Sequence, residues 1–238
     1  MLILGIETAT EQVSVALGGH EGVIGLFEVA RGRRHAEFLT PAIYFVFAQS
    51  DIGLDEIGLI AVDVGPGLFT GMRVGLAAAK ALALALRVPM IGISSLDLLA
   101  FPHRRSDRVV VPVIDARKGE VFHAAYRQVP GGLQQVVAPR VGPVDDLVAD
   151  LLARSQEALC VGDGALRYRA EILDGFHCEI SDDAHPSAGP LVQLAHARAL
   201  REEWVSPIDI RPIYLRPPDA QINWATRASS PTAPRSGP

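Results

Sequence analysis

Apolar positions open the chain in short runs, at residues 2–6, 12–17 and 23–29, separated by segments rich in turn formers. Runs this short and this closely joined predict an antiparallel meander at the start of a mixed sheet. The period then changes. Between residues 35 and 49, Phe38, Leu39, Ala42, Ile43, Val46 and Phe47 recur at i, i+3, i+4 spacing, which predicts a helix with one apolar face. Pro41 lies inside it and marks either its first turn or a kink. Tyr44, Phe45 and Ala48 keep the other side from being polar. That is the pattern of a helix covered by the sheet on one side and by something else on the other, a partner chain being one candidate.

Residues 58–64 read as a buried strand that ends at Gly65-Pro66-Gly67, with Thr70 placed to cap a helix running to about Leu86. Residues 89–93 return as a strand, and Ser94 or Ser95 caps a short helix through Leu99. Strand, helix, strand at this spacing is a βαβ unit, so part of the sheet is parallel and the class is α/β. A basic crossing at 103–108 precedes strands at 109–114, 120–127 and 133–138, a helix at 143–153, a strand at 158–161 and a helix at 191–203. Residues 229–238 carry no large apolar anchor and are expected to be disordered. No repeat is visible at the level of sequence.

Composition narrows the functional classes. Of 238 residues, 49% are hydrophobic and 21% charged, enough for a core of one or two domains. With 22 basic against 27 acidic residues the net charge is -5, which argues against a general polyanion binder. The short basic stretches at 31–34 and 103–105 read as solvated edges. Cys160 and Cys178 form no CxxC pair and read as small apolar interior residues. The N-terminus lacks a basic n-region, and the most apolar stretch, 74–93, is broken by Lys80, Arg87 and Pro89. A cytoplasmic protein with no membrane span is expected.

Three segments could carry chemistry. Gly5-Ile6-Glu7-Thr8-Ala9-Thr10 places an acid and two hydroxyls in the turn after the first strand, suited to a phosphate or a hydrated metal, or equally to a self-capped hairpin. Residues 63–75 place Gly65, Pro66, Gly67, Thr70 and Arg73 between a buried strand and a helix. The helix start suits an anion, but this is neither a P-loop nor a dinucleotide fingerprint. Gly71, Gly75 and Ala79 recur every four residues and flatten one helix face, for packing within the chain or for a subunit interface. Asp115, Arg117, Lys118 and Glu120 form a charged turn that either meets a ligand in a cleft or pairs with itself. The seven histidines show no short metal-ligand spacing.

Taken together, residues 4–10, Arg34-His35-Ala36-Glu37, residues 65–75, residues 115–121 and Pro212-Ile213-Tyr214-Leu215-Arg216 resemble the TsaB (YeaZ) family of bacterial tRNA threonylcarbamoyladenosine biosynthesis subunits. The resemblance runs to about Ile222, and residues 65–75 are its most specific part. Leu68 and Met72 depart from the usual Ser and Leu of the family pattern.

The resemblance implies an actin-like/Hsp70-like ATPase fold of two lobes with mixed β-sheets flanked by helices. Residues 1–105 would form the lobe carrying the partner interface, 106–222 a smaller lobe whose last helix can pack back on the first, and 223–238 a disordered tail. It implies a non-catalytic subunit with no cofactor and no metal, paired with a TsaD-like catalytic paralogue that acts on tRNA, and joined by a TsaE-like P-loop ATPase. It also implies self-association through the first lobe and only indirect contact with tRNA. Agreeing with this, His35 lacks the His-x-x-x-His partner of the catalytic paralogue, since position 39 is Leu39. Phe38, Tyr44, Phe45, Gly71, Met72, Gly75 and Ala79 are the expected partner face. A stand-alone kinase or glycoprotease-type peptidase using Glu7 or Asp63 is the alternative.

Overall fold

The computed structural model describes residues 1–216 apart from Arg33 and Ser155. The opening meander is β1 (Leu2–Glu7), β2 (Gln12–Gly19) and β3 (Gly22–Ala30), paired antiparallel. β4 (Ile57–Asp63) and β5 (Met90–Ile93) add to β1 in parallel, giving the order β3-β2-β1-β4-β5. A second sheet repeats the plan. β6 (Val109–Arg117), β7 (Glu120–Val129) and β8 (Gly132–Pro143) pair antiparallel, while β9 (Ala158–Val161) and β10 (Glu179–Ile180) extend β6 in parallel. The order β10-β9-β6-β7-β8 is the first sheet's order again. This duplicated three-antiparallel, two-parallel unit in two lobes is the actin-like ATPase architecture, a repeat of topology that the sequence does not display.

Strand β1 is apolar without alternation because both faces of its sheet are covered. On one face α1 (His35–Ser50) and α2 (Phe69–Leu86) bring Leu39, Ala42, Val46, Leu76, Ala79 and Ala83 against Leu4, Ile6, Val15 and Ile60. On the other, α7 (Ala188–Ala199) packs Leu191, Val192 and Ala195 against Ile3, Ala16, Leu59 and Ile91. α3 (Ser95–Ala100) starts where Ser94 Oγ accepts from Leu96 N at 3.2 Å. Its Leu96, Leu99 and Ala100 join Val110, Ile114 and Phe122, which ties the sheets together. α4 (Val144–Arg154), α5 (Asp163–Arg167) and α6 (Arg169–Gly175) lie along the second sheet.

Several elements differ from the sequence expectation. α2 begins at Phe69 with Leu68 as its cap, so Thr70 is an exposed first-turn residue and caps nothing. α1 starts at His35 and continues past Pro41, which is thus interior to the helix and not in its first turn. α7 starts three residues early because Ser187 Oγ accepts from Gly189 N at 3.2 Å and the first turn tolerates Pro190. It ends at Ala199, short of the expected 203. β8 is longer than foreseen, and α5, α6 and β10 were not foreseen. The 223–238 tail lies outside the described residues.

Candidate functional site

The motif segments of the first lobe lock into each other. Leu68 N donates to Ala9 O at 2.6 Å, and Thr8 Oγ1 donates to Gly71 O at 2.8 Å. His35, the first residue of α1, holds Nε2 2.6 Å from Thr10 O. A Cβ at Gly67 would overlap Ala9 O, one at Gly71 would overlap Thr8 O, and one at Gly75 would overlap Thr8 Oγ1. α2 crosses the β1–β2 turn this closely only because those positions carry no side chain. Met72 and Ala79 continue the same line into the core. The expectation that Gly71, Met72, Gly75 and Ala79 face a partner is therefore corrected: this chain's own turn and sheet cover them.

Glu7 and Asp63 sit side by side beneath the turn, since Ile6 pairs with Val62 in parallel register and each strand then ends in its acid. Glu7 Oε1 accepts from Ala9 N at 2.6 Å. Asp63 Oδ1 accepts from Gly65 N and from Ser95 Oγ, both at 2.7 Å. The second oxygens of both acids, and Thr10 Oγ1, have no hydrogen-bond partner in the described structure. Burial, and after it the nearby Asp63, hold Glu7 well above the ordinary carboxylate range. Burial likewise pushes Asp63 up to about 7, against the opposing hydrogen bonds from Ser95 and Gly65. The turn that the sequence offered to a phosphate or hydrated metal is packed against Leu68, Gly71 and Gly75 of this same chain, and Pro66, after a cis Gly65-Pro66 link, is buried.

What the first lobe shows to solvent is different. Arg73 lies 3.6 Å over the Phe69 ring and its Nε donates to Tyr214 Oη at 3.3 Å, with the Phe69 and Tyr214 rings 5.4 Å apart. Thr70 is exposed beside them. On α1, Tyr44 is 75% and Phe45 49% exposed, whereas Phe38 is half-buried with the Arg34 guanidinium 5.3 Å above it. Phe45 also meets Phe27 of β3 at 5.5 Å.

The β6–β7 turn is an ion-pair network. Asp115, nearly buried, accepts from Arg117 N at 2.9 Å and from Arg117 Nη1 at 3.0 Å, with Tyr168 Oη at 3.3 Å and Arg167 Nε at 3.6 Å. Asp163 Oδ1 receives Asp115 N at 3.0 Å. Arg117 Nη2 then reaches Glu11 Oε1 at 2.6 Å, which joins the second lobe's turn to the first lobe's turn. Arg216 pairs with Glu120 and donates to Ala116 O at 3.1 Å. Lys118 is exposed at the tip. The structure thus brings Glu7, Thr8, Gly65, Pro66 and Gly67 into one seam, puts Asp115, Arg117 and Glu120 in another, and links the seams through Glu11. A cavity of about 290 Å³ nearby, lined by residues including Gln12, Glu28, Pro102, Asp183 and His185, contains none of the motif residues. Sequence reasoning missed Glu11, Asp163 and Tyr168, and gave Ser95 only a capping role. Glu11 was the findable one, an acid directly after the Thr8–Thr10 turn.

A family model for TsaD, the tRNA N6-adenosine threonylcarbamoyltransferase, matches residues 25–172. TsaB of Haemophilus influenzae, a tRNA threonylcarbamoyladenosine biosynthesis protein, is 31% identical over 238 residues, covering 94% of this chain and 96% of its own. The chain belongs to the TsaB family. TsaB of Bacillus subtilis is 29% identical over 226 residues, covering 94% of the TsaB-family chain described here and 98% of its own. The solved structure of YeaZ from Pseudomonas aeruginosa superposes with a TM-score of 0.77 at 27% identity, over 90% of this chain and 99% of that one. The likeness therefore spans both lobes.

Proposed function

We propose that this TsaB-family chain serves N6-threonylcarbamoyladenosine formation in tRNA as a non-catalytic accessory subunit, pairing in the cytoplasm with a TsaD-like transferase. One observation carries the reading: the turn that resembles a ligand seat is closed by the chain's own glycine seam, while the adjoining helix turns Tyr44 and Phe45 to solvent. Buried acids without access suit a structural part better than a working acid or base. Large exposed aromatics suit a protein partner. The proposed surface keeps Phe38, Tyr44 and Phe45, gives up the glycine stripe, and adds Phe69, Arg73 and Tyr214. A stable contact needs roughly 1,200–2,000 Å² in total. A TsaE-like ATPase joins the same assembly, tRNA is met through the complex, and self-association through the first lobe competes for the same surface.

The test is a reconstituted tRNA modification assay with each subunit omitted in turn, together with co-purification against the TsaD-like subunit. Loss of modification without this chain, restored by adding it back, is expected. Nucleotide hydrolysis or peptide cleavage by the isolated chain, abolished in a folded Glu7→Gln variant, would overturn the reading in favour of a stand-alone enzyme.

A further inference from the structure

Cys160 and Cys178 stand 18 residues apart in the chain and touch, with their sulfurs 3.8 Å apart and both thiols free. Cys160 belongs to β9 and is buried in the core of the second lobe among Val111, Val113 and Ile172. Cys178 packs against the same core from its rim and is half-buried. The pairing of Ile180 with Cys160 puts Cys178 on the same side of the β9–β10 ribbon, two residues before the paired position. Cys178 lies outside β10, so its backbone is not held in the ladder and can follow the sulfur inward. A disulfide needs the sulfurs to close to about 2.05 Å, a short travel from contact. The residues between them include α5, α6 and the Tyr168 link that joins the two helices, and Asp163, Arg167 and Tyr168 hold Asp115.

We infer that Cys160 and Cys178 form a dithiol modification site, oxidised by low-molecular-weight disulfides to an internal disulfide that braces α5 and α6 beneath the Asp115 turn. Cys178 acts first: the contact with Cys160 holds its thiol below the usual range, and it alone of the two reaches the surface. Its thiolate attacks one sulfur of the oxidant disulfide, forming a mixed disulfide and releasing one thiolate, which takes up a proton. Cys160 then loses its proton and attacks the Cys178 sulfur, expelling the second small thiol. Two protein thiols are oxidised and one small disulfide is reduced to two thiols. In a reducing cytosol the site rests as the dithiol, and the bond forms when the glutathione pool is oxidised.

The experiment incubates the full chain with glutathione disulfide, alkylates free thiols and measures intact and peptide masses. The wild type is expected to lose two hydrogen masses, with a dithiothreitol-reversible link between the peptides carrying the two cysteines. Cys160→Ser is expected to stop at a stable glutathione adduct on Cys178, which separates the internal bond from simple surface thiolation. A raised thermal midpoint and slower proteolytic cutting between residues 162 and 175 are expected only in the oxidised wild type. Wild type that also stops at the adduct, or keeps both thiols while a free-thiol control peptide is fully oxidised, overturns the site. A bond that forms but leaves both the midpoint and the cutting rate unchanged overturns the bracing role.

Discussion

The two sheets share one topology, yet their first hairpin turns are built on different physics. After β1, the 8–11 turn is clamped by backbone contacts and by a helix whose glycines let it lie flush. After β6, the chain turns back at Lys118 and Gly119, and what holds the place is charge: Asp115, Arg117, Arg167 and Glu11. The same fold position is set by steric fit in one lobe and by partly exposed ion pairs around Asp115 in the other. A turn sealed by packing is unforgiving of volume and blind to salt, whereas a turn held by partly exposed charges is the reverse.

The largest effect should come from adding volume to the sealed seam. Gly75→Leu drives a side chain into Thr8 and should cost about 3 kcal/mol or more of unfolding free energy, read as a lower urea midpoint. At Gly119 there is open space, and only its φ of 80° resists a side chain, so Gly119→Ala should cost about 1 kcal/mol. Equal losses at the two glycines would erase the distinction between the turns.

Next in size is the pH dependence of the sealed side. Asp63 is raised by burial to about 7 in the folded state, well above the ordinary carboxylate range, and Glu7 is raised as well. A carboxyl whose folded pKa lies above its unfolded pKa binds more protons when folded, so stability falls as pH rises between the two values. Wild type should lose about 2 kcal/mol from pH 5 to pH 7 through Asp63, by chemical denaturation at each pH. Asp63→Asn keeps an oxygen for Gly65 N and Ser95 Oγ and puts an amide where the unpartnered oxygen stood, so it should flatten that slope. A wild-type curve that rises over this window would mean that the two acids are ionised in the folded chain.

Smaller again is the effect of removing the bridge between lobes. Arg117→Ala takes away its contact with Glu11 and its ion pair with Asp115, but Arg167 and Tyr168 remain. With the Arg117 side chain 32% exposed, the loss should be about 1 kcal/mol and should shrink in high salt. Gly75→Leu should show no such salt dependence.

How far this contrast could be read in the sequence follows from what each turn depends on. The strands of the first sheet were legible because β1, β2 and β3 alternate with turn-rich gaps, and the α1 face because Leu39, Ala42 and Val46 repeat at helical spacing. The glycine stripe was legible as a flat surface, but its neighbour was not. Local sequence near Gly71 and Gly75 says nothing about Thr8, which is 63 residues from Gly71 along the chain. The Arg117–Glu11 pair, separated by 106 residues, was hidden for the same reason. α5 and α6 are too short for a period to emerge, and Pro190 masked the start of α7 that Ser187 sets.

The outer face of α1 gives the smallest effect on folding and the sharpest test of what the first lobe is for. Tyr44 is 75% exposed, and the core-facing residues of its helix are His35, Leu39, Ala42 and Val46, so Tyr44→Ala should change unfolding free energy by less than about 0.5 kcal/mol. An exposed aromatic of this size is a poor choice for a surface that meets only water, but a good anchor for a partner. Calorimetric titration with the TsaD-like subunit should therefore show at least a roughly tenfold weaker affinity for Tyr44→Ala. Gly75→Leu, by contrast, should weaken association only to the extent that it unfolds the chain. If Tyr44→Ala binds as tightly as wild type while remaining folded, the partner surface lies off this helix, and the Phe69, Arg73 and Tyr214 cluster becomes the next place to cut.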